Sequence, residues 1–307
     1  MPITIKHLEY FVATAEVGSI KQASQQIHIS QPSISSAISH LEDELKVQLF
    51  VRHHARGLDL TLSGKRMFKE AKLLLKRVDE LYSIGSELND EIVGKILVGC
   101  MITLSPIIMA ELGQRFMRAY PSTELELSEG SHDQLIDQLR RVEIDAAITY
   151  DLQMPEEIEF LPLASLKPHV LISEDHPFAG RQSVILKRLT KESMILLDLR
   201  YSRQYFLSLF QSQGLKPNVA KTASSYEMVR TLVANGFGYT IANFRPKNLT
   251  ALDGRKLISI KLEGNNKPMK IGLAVLGQNH KPRILQAFEQ HCIDSISDLV
   301  IPGMQLR

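Results

Sequence analysis

Cysteine is almost missing from this chain: Cys100 and Cys292 are the only two among 307 residues. Two thiols build no disulfide framework and carry no metal-ligand spacing, so no metal and no bound cofactor is expected. No apolar run approaches the roughly 18 residues of a membrane span, and no membrane partner is expected. The opening Met1-Pro2-Ile3-Thr4-Ile5-Lys6 lacks an apolar core and a small-residue cleavage site, which points to the cytoplasm. A strong charge imbalance is missing as well. The net charge is +2 and the pI about 8.4, too mild to argue for nucleic acid by itself. His132, His169 and the pair His176-Pro177 have no nucleophile or acid assembled beside them in sequence, so catalysis is not expected. With 44% hydrophobic and 23% charged residues the chain reads as ordinary globular protein, long enough for two or three domains.

What is present is concentrated near the N-terminus. Helical patterns over 8–17 and 20–27 are followed by a break at Ser30-Gln31-Pro32 and a third, longer pattern. Its apolar residues Ile34, Ile38, Leu41 and Leu45 fall on one helical stripe. The opposite edge is Ser33, Ser35, Ser36, Ser39 and His40. A helix that only packs on a core would carry Lys and Glu there. One that lies in the major groove needs short side chains that donate and accept hydrogen bonds. Solvated surface is the competing reading, and the poor helix propensity of serine weighs against it. Downstream, Arg52 and Arg56 flank His53-His54-Ala55 ahead of Leu58-Asp59-Leu60-Thr61, a pattern that suits a β-wing.

Charge does not favour this reading on its own. Within 1–64, Lys6, Lys21, Lys46, Arg52 and Arg56 face Glu9, Glu16, Glu42, Asp43, Glu44 and Asp59, a balance of −1. Phosphate contacts supply most non-specific affinity, so the placement of the cations must outweigh their sum.

Residues 64–89 carry a helical pattern in which Phe68, Leu75 and Tyr82, and also Met67, Leu74, Leu81 and Leu88, fall seven apart. A stripe that sustained suits a dimerisation helix, which would pair two DNA readers on a two-fold operator. A core helix of the next domain is the alternative. Beyond it strand and helix alternate. Strands are expected at 95–99, 124–127, 145–149, 169–172, 194–197 and 271–276. Helices are expected at 107–120, 133–141, 203–213, 226–235 and 282–296. The fold class is therefore α/β behind an N-terminal all-α, winged-helix domain. Two lobes, each with a largely parallel sheet, would leave a cleft as the default pocket. A solute-binding protein would explain the lobes but not residues 1–90.

The chain resembles the LysR-type transcriptional regulators over essentially its whole length. The residues that carry the resemblance are Leu8-Glu9-Tyr10-Phe11, Gly18-Ser19-Ile20, Ala23-Ser24 and Ser30-Gln31-Pro32-Ser33-Ile34-Ser35. Ile38, Leu41-Glu42-Asp43-Glu44-Leu45, Leu49-Phe50-Val51-Arg52 and Leu60-Thr61-Leu62-Ser63-Gly64 continue it. The resemblance implies a winged helix-turn-helix domain at 1–64 and a linker helix at 65–90. It also implies a two-lobed effector domain similar to periplasmic binding proteins, one lobe at 94–165 with 269–301 and the other at 166–268. The implied partners are double-stranded promoter DNA, a small-molecule effector, and the chain itself as homodimer or homotetramer. RNA polymerase is a further candidate.

Carried over residue by residue, Ser30 is the helix cap, with Pro32 tolerated in the first turn. Gln31, Ser33, Ser35, Ser36 and Ser39 face the groove, and Arg52, Arg56 and Thr61 contact the backbone. Many relatives carry Arg or Lys around Ser36, Ser39 and His40. Their lack here argues against guanine reading by arginine from this helix. For the effector, the resemblance points to Cys100, Met101, Ile102 and Thr103, to Ser131, and to Thr149-Tyr150. It also points to Arg200, Ser202 and Arg203, where either arginine could clamp an anion such as a carboxylate, with a surface ion pair as the alternative. The apolar Met101 leaves an aromatic effector open. Cys100, at the expected cleft mouth, also suggests a redox-sensing regulator, against a simpler role as a small buried hydrophobe.

Overall fold

The computed structural model describes residues 3–53, 57–87, 91–277 and 281–305; for Arg52, His53, Asp79, Glu80 and residues 82–87 it describes the backbone only. The chain divides into two compact units, Met1–Glu91 with Arg140–Val142, and Ile92–Leu139 with Glu143–Arg307.

The first unit is α1 (Ile5–Val17), α2 (Ile20–Gln26), α3 (Gln31–Leu45), β1 (Phe50–His53), β2 (Gly57–Leu60) and α4 (Leu62–Glu87). Each short helix starts on a hydroxyl. Thr4, Ser19 and Ser30 accept from the backbone N–H groups of His7, Gln22 and Ser33, satisfying donors that have no partner within the helix. Phe11, Ile34, Leu41 and Leu49 form the fully buried centre, and Phe11 meets Phe50 edge-on at 5.5 Å between centroids. Leu45, expected on the buried stripe, is instead exposed, because the helix ends there with Lys46 in the left-handed region at φ 54°.

The hairpin β1–β2 is antiparallel and closes the unit. Gly57 ties it to the end of α1. Its φ is 89°, and a Cβ there would lie 2.6 Å from the Gly18 carbonyl oxygen, so a side chain is excluded twice. The Glu42 carboxylate holds the other end, accepting from the N–H groups of Leu49 (2.7 Å) and Phe50 (3.2 Å).

The long helix α4 begins at Leu62, two residues earlier than its pattern predicts. Thr61 accepts from the Gly64 N–H and donates to the Gln48 carbonyl, which fixes the helix start against β1. Ala71 is buried in the core of this unit, with Met67, Phe68 and Leu75 packed around it. Half of the expected heptad pattern is thus core of the preceding domain rather than the next one. Leu74 and Leu81 stay exposed, and Leu88 and Asn89 lie outside the described residues.

The second unit runs β3 (Gly94–Met101), α5 (Ser105–Ala119), β4 (Thr123–Gly130), α6 (His132–Arg140), β5 (Ala146–Tyr150), β6 (Ile158–Leu166), β7 (His169–Ser173), β8 (Ser183–Ile185), α7 (Leu186–Leu189), β9 (Ser193–Leu197), α8 (Arg200–Gln211), β10 (Asn218–Ala223), α9 (Tyr226–Ala234), β11 (Thr240–Ala242), β12 (Leu257–Glu263), β13 (Met269–Leu276) and α10 (Arg283–Ser295). One sheet has the order β4-β3-β5-β13-β6. Its β4, β3 and β5 are parallel, while β13 runs antiparallel to both β5 and β6. The other has the order β11-β7-β12-β8, with β9–β10 as a separate parallel pair. Both four- and five-stranded sheets are mixed, so the largely parallel arrangement is corrected. The chain passes from one to the other between Leu166 and His169 and returns between Glu263 and Met269.

Leu161-Pro162-Leu163 lies inside β6. Proline is tolerated because β6 is an edge strand and its register with β13 shifts at this point.

Candidate DNA-binding face and inter-sheet pocket

The division of α3 into two faces is clear. Ile34, Ala37, Ile38 and Leu41 are buried. Ser30, Gln31, Pro32, Ser33, Ser36 and Ser39 are exposed, and Ser35 and His40 are half-buried. Five side chains that can donate or accept therefore line one solvent-facing edge at helical spacing, held rigid by the apolar edge behind. Ser30 Oγ and Ser33 Oγ lie 2.7 Å apart, so part of their hydrogen-bonding capacity is used locally. Beside this edge lies an open depression of about 670 Å³ lined by Ile20, Ser24, Ser30, Gln31, Pro32 and Ser35. Arg52 sits on β1 opposite Leu58, placed by backbone register. Arg56 lies outside the described residues. Thr61 is committed to capping α4, a role the sequence reading did not give it. Lys65 and Arg66 follow, both exposed.

The second unit holds a small cavity, about 10 Å³, between elements of its two sheets. Thr103 and Tyr150 come from the ends of β3 and β5, Ser202 and Phe206 from α8, Tyr226 from α9, and Asn243 from just beyond β11. Thr103 Oγ1 and the Tyr150 hydroxyl are 3.5 Å apart. The Tyr226 hydroxyl is buried with no hydrogen-bond partner among the described residues. The Asn243 amide donates to the sulfur of Met269. Burial raises both phenols well above the usual tyrosine range, so they remain neutral donors.

Outside the cavity, α6 and α8 clasp each other. The His132 and Tyr201 rings meet edge-on at 4.9 Å. Arg200 pairs with Asp133 at 3.5 Å and lies over the Tyr201 ring at 5.2 Å. The same Asp133 carboxylate raises the pKa of the Tyr201 hydroxyl. His132 Nδ1 shares a hydrogen bond with Thr149 Oγ1 at 3.2 Å.

Two family models match the chain. Residues 89–297 match the model of the LysR substrate binding domain, and residues 5–65 that of the bacterial regulatory helix-turn-helix protein, lysR family. The chain belongs to the LysR family. It is 32% identical over 239 residues to YvbU, an uncharacterized HTH-type transcriptional regulator of Bacillus subtilis, covering 78% of this chain and 81% of that protein. It is 30% identical over 240 residues to the DNA-binding transcriptional dual regulator OxyR of Escherichia coli, covering 78% of each. The crystal structure of HinK, a LysR family transcriptional regulator from Pseudomonas aeruginosa, matches with TM-score 0.66 and 35% identity, over 97% of this chain and 100% of that one.

This LysR-type transcriptional regulator thus joins a helix-turn-helix DNA-binding domain to an effector-binding domain. Its relatives are regulators of transcription, not enzymes. Among the described residues no helix is long and apolar enough to cross a membrane.

Of the ten residues expected at the effector site, the structure gathers three, Thr103, Tyr150 and Ser202, around the cavity. Thr149 is buried behind them against His132. Cys100 and Met101 are buried in β3, so Cys100 does not stand at a cleft mouth, and Ile102 points outward. Ser131 caps α6, receiving the Gln134 N–H. Arg200 and Arg203 are surface residues paired with Asp133 and Asp198. The helix α8 starts at Arg200 rather than Arg203, which turns an expected loop of polar groups into a first helical turn.

Phe206, Tyr226 and Asn243 were missed. Tyr226 had a signal, since Ser225 caps its helix and an aromatic first residue faces what the helix starts beside. Asn243 had none, because it follows a three-residue strand too short to read.

Proposed function

We propose that this LysR-type regulator reads double-stranded promoter DNA with the exposed edge of α3, through Gln31, Ser33, Ser35, Ser36 and Ser39. Ser30 and Pro32 set the helix start, and Arg52 and Arg56 place the wing on the phosphate backbone, while Thr61, whose hydroxyl proton already goes to the Gln48 carbonyl, holds the start of α4 instead. The observation that carries this reading is the clean split of α3 between buried isoleucines and exposed serines. The limits 1–64, 65–90, 94–165 with 269–301, and 166–268 divide the chain into reader, linker and two effector lobes, a division favoured by the two crossings between sheets. Homodimers joined along α4, and homotetramers built from them, would pair the readers. The exposed Leu74 and Leu81 favour that use of the helix. RNA polymerase is the partner through which occupancy would change transcription.

A small molecule entering between the two sheets would shift the balance of lobe arrangements, and with it the spacing of paired readers. The rival reading, redox sensing through Cys100, draws on the likeness to OxyR but has weak support. Cys100 is fully buried, and burial together with nearby Glu129 raises its thiol far from the thiolate that oxidants attack.

Fluorescence anisotropy with labelled duplex from the promoter beside its own gene tests the DNA reading. Affinity falls at least about tenfold between about 50 and about 200 mM salt if phosphates are contacted. Binding that ignores salt, or no binding at all, removes the reading.

A further inference from the structure

Taking the inter-sheet cavity as the effector site, we infer that it accepts a compact, uncharged ligand with a hydroxyl on an apolar body, an alcohol or phenol, and rejects the carboxylate of the same shape. This rests on the reading above and corrects the expectation of a carboxylate effector.

The first ground is the missing charge. Among the described residues, none that lines the cavity is Lys, Arg, His, Asp or Glu. The two arginines expected to clamp an anion lie elsewhere, each facing a carboxylate of the protein. Arg203 bonds Asp198 at 2.9 Å and Arg200 pairs with Asp133. The anion at that end of α8 is thus the chain's own Asp133. A buried guanidinium, Arg230, lies 5.9 Å from the Tyr226 ring. Its two terminal nitrogens are committed to the carbonyls of Asn248 and Thr250 and to Glu227, its Nε is buried without a partner among the described residues, and it does not line the cavity.

The second ground is what the wall offers. The Tyr226 hydroxyl is buried and unpartnered, Tyr150 has only a 3.5 Å contact with Thr103, and the Asn243 amide has only a thioether acceptor. These groups are neutral, and between them they can both donate and accept. A ligand hydroxyl satisfies both roles at once, whereas an ionised carboxylate only accepts and has no cation to offset its loss of water. Phe206, Phe244 and Leu197 complete the wall and favour an apolar body. At about 10 Å³ the cavity has room for roughly one water, so occupancy requires the sheets to part and a compact ligand is favoured.

The test uses the full chain and ligand-observed NMR titration with shape-matched pairs: benzyl alcohol against benzoate, cyclohexanol against cyclohexanecarboxylate. The neutral member of a pair binds at least about tenfold more tightly, and Tyr226→Phe or Thr103→Val weakens it about tenfold while melting temperature holds. A carboxylate that binds as well or better, and is weakened by the same variants, overturns the ligand class and leaves the cavity as the effector site. If neither member shows binding that those variants alter, the effector-site reading falls together with this one.

Discussion

His132 at the start of α6 and Tyr201 in the first turn of α8 touch ring edge to ring face, 4.9 Å apart, across the gap between the two sheets. The contact joins elements that no strand pairing connects, and Asp133 reinforces it by holding Arg200, which lies over the Tyr201 ring. If an effector parts the two sheets as proposed, this contact beside the cavity is one that must give way. Tyr201→Ala removes the ring contact and the surface on which Arg200 lies. The exposed Arg200–Asp133 ion pair stays in place and Tyr201 is only half-buried, so melting changes little. Small-angle scattering of the variant without ligand should show a more open effector domain, resembling wild type with ligand. A variant indistinguishable from wild type by scattering, with or without ligand, removes the clasp from the mechanism.

On the proposed reading, the exposed edge of α3 separates recognition from folding. Ser36 and Ser39 face solvent, and alanine is the better helix former, so Ser36→Ala and Ser39→Ala hold or raise the melting temperature. Loss of a base contact costs about 1–3 kcal/mol of discrimination. Operator affinity should fall about tenfold while affinity for unrelated duplex stays unchanged. Equal loss on both duplexes would reassign these serines to general phosphate contact.

Glu42 behaves the opposite way. Its carboxylate receives two backbone N–H groups at the entry to β1, and removing it leaves both donors without that partner. Glu42→Ala should destabilise the N-terminal unit by about 1–3 kcal/mol, read by denaturant unfolding. The wing would loosen with it. The acidic run Glu42-Asp43-Glu44 thus counts against DNA in a net-charge sum, yet its first member holds part of the DNA reader in place.

The N-terminal unit was far more legible in sequence than the inter-sheet cavity, for a physical reason. Its helices are local: Ser19 and Ser30 cap within three residues, and Ile34, Ile38 and Leu41 declare one face. The pocket is made of residues that are distant in sequence, Thr103 and Tyr150 against Ser202, Tyr226 and Asn243. Periodicity cannot report which strand ends converge. The strand β10, with almost every residue exposed, gives no alternation to read, and β12 in Leu-Ile-Ser-Ile-Lys-Leu-Glu gave alternation that went unused. Arg200 and Arg203 show the same limit from the other side. Their type suggested an anion clamp, but which carboxylate each would meet depends on how α6 and α8 are packed.

Stability should fall on mild acidification because of His169. Burial, with the nearby charge of Arg245 adding to it, pushes its pKa down to about 3 from the ordinary 6.5. The folded state holds this ring neutral while the unfolded chain takes up a proton. The penalty is therefore absent above about pH 6.5 and grows as pH falls toward 3. At about pH 5.5 it amounts to roughly 1 kcal/mol, with burial of His132 acting in the same direction. Calorimetry between about pH 7.5 and 5.5 should show the loss, and His169→Gln should flatten it. An unchanged slope in that variant would locate the acid sensitivity elsewhere.

Cys100 offers the sharpest division between a ligand-responsive and a thiol-responsive regulator. It is fully buried in β3, and Cys292 on α10 is close enough to add to the upward shift of its pKa. Cys292 is itself buried and raised. Reaction with an oxidant requires thiolate and access, and the folded core denies both. In the native protein both thiols should resist an aromatic disulfide reagent for as long as the fold persists, and react fully once guanidinium unfolds it. Hydrogen peroxide should leave operator affinity unchanged in wild type and in Cys100→Ala alike. Cys100→Ala tests packing at the same time, since deleting a buried sulfur costs stability without touching DNA contacts. Fast native labelling of Cys100, or a peroxide response abolished by Cys100→Ala, would transfer the regulatory signal from the cavity to the thiol.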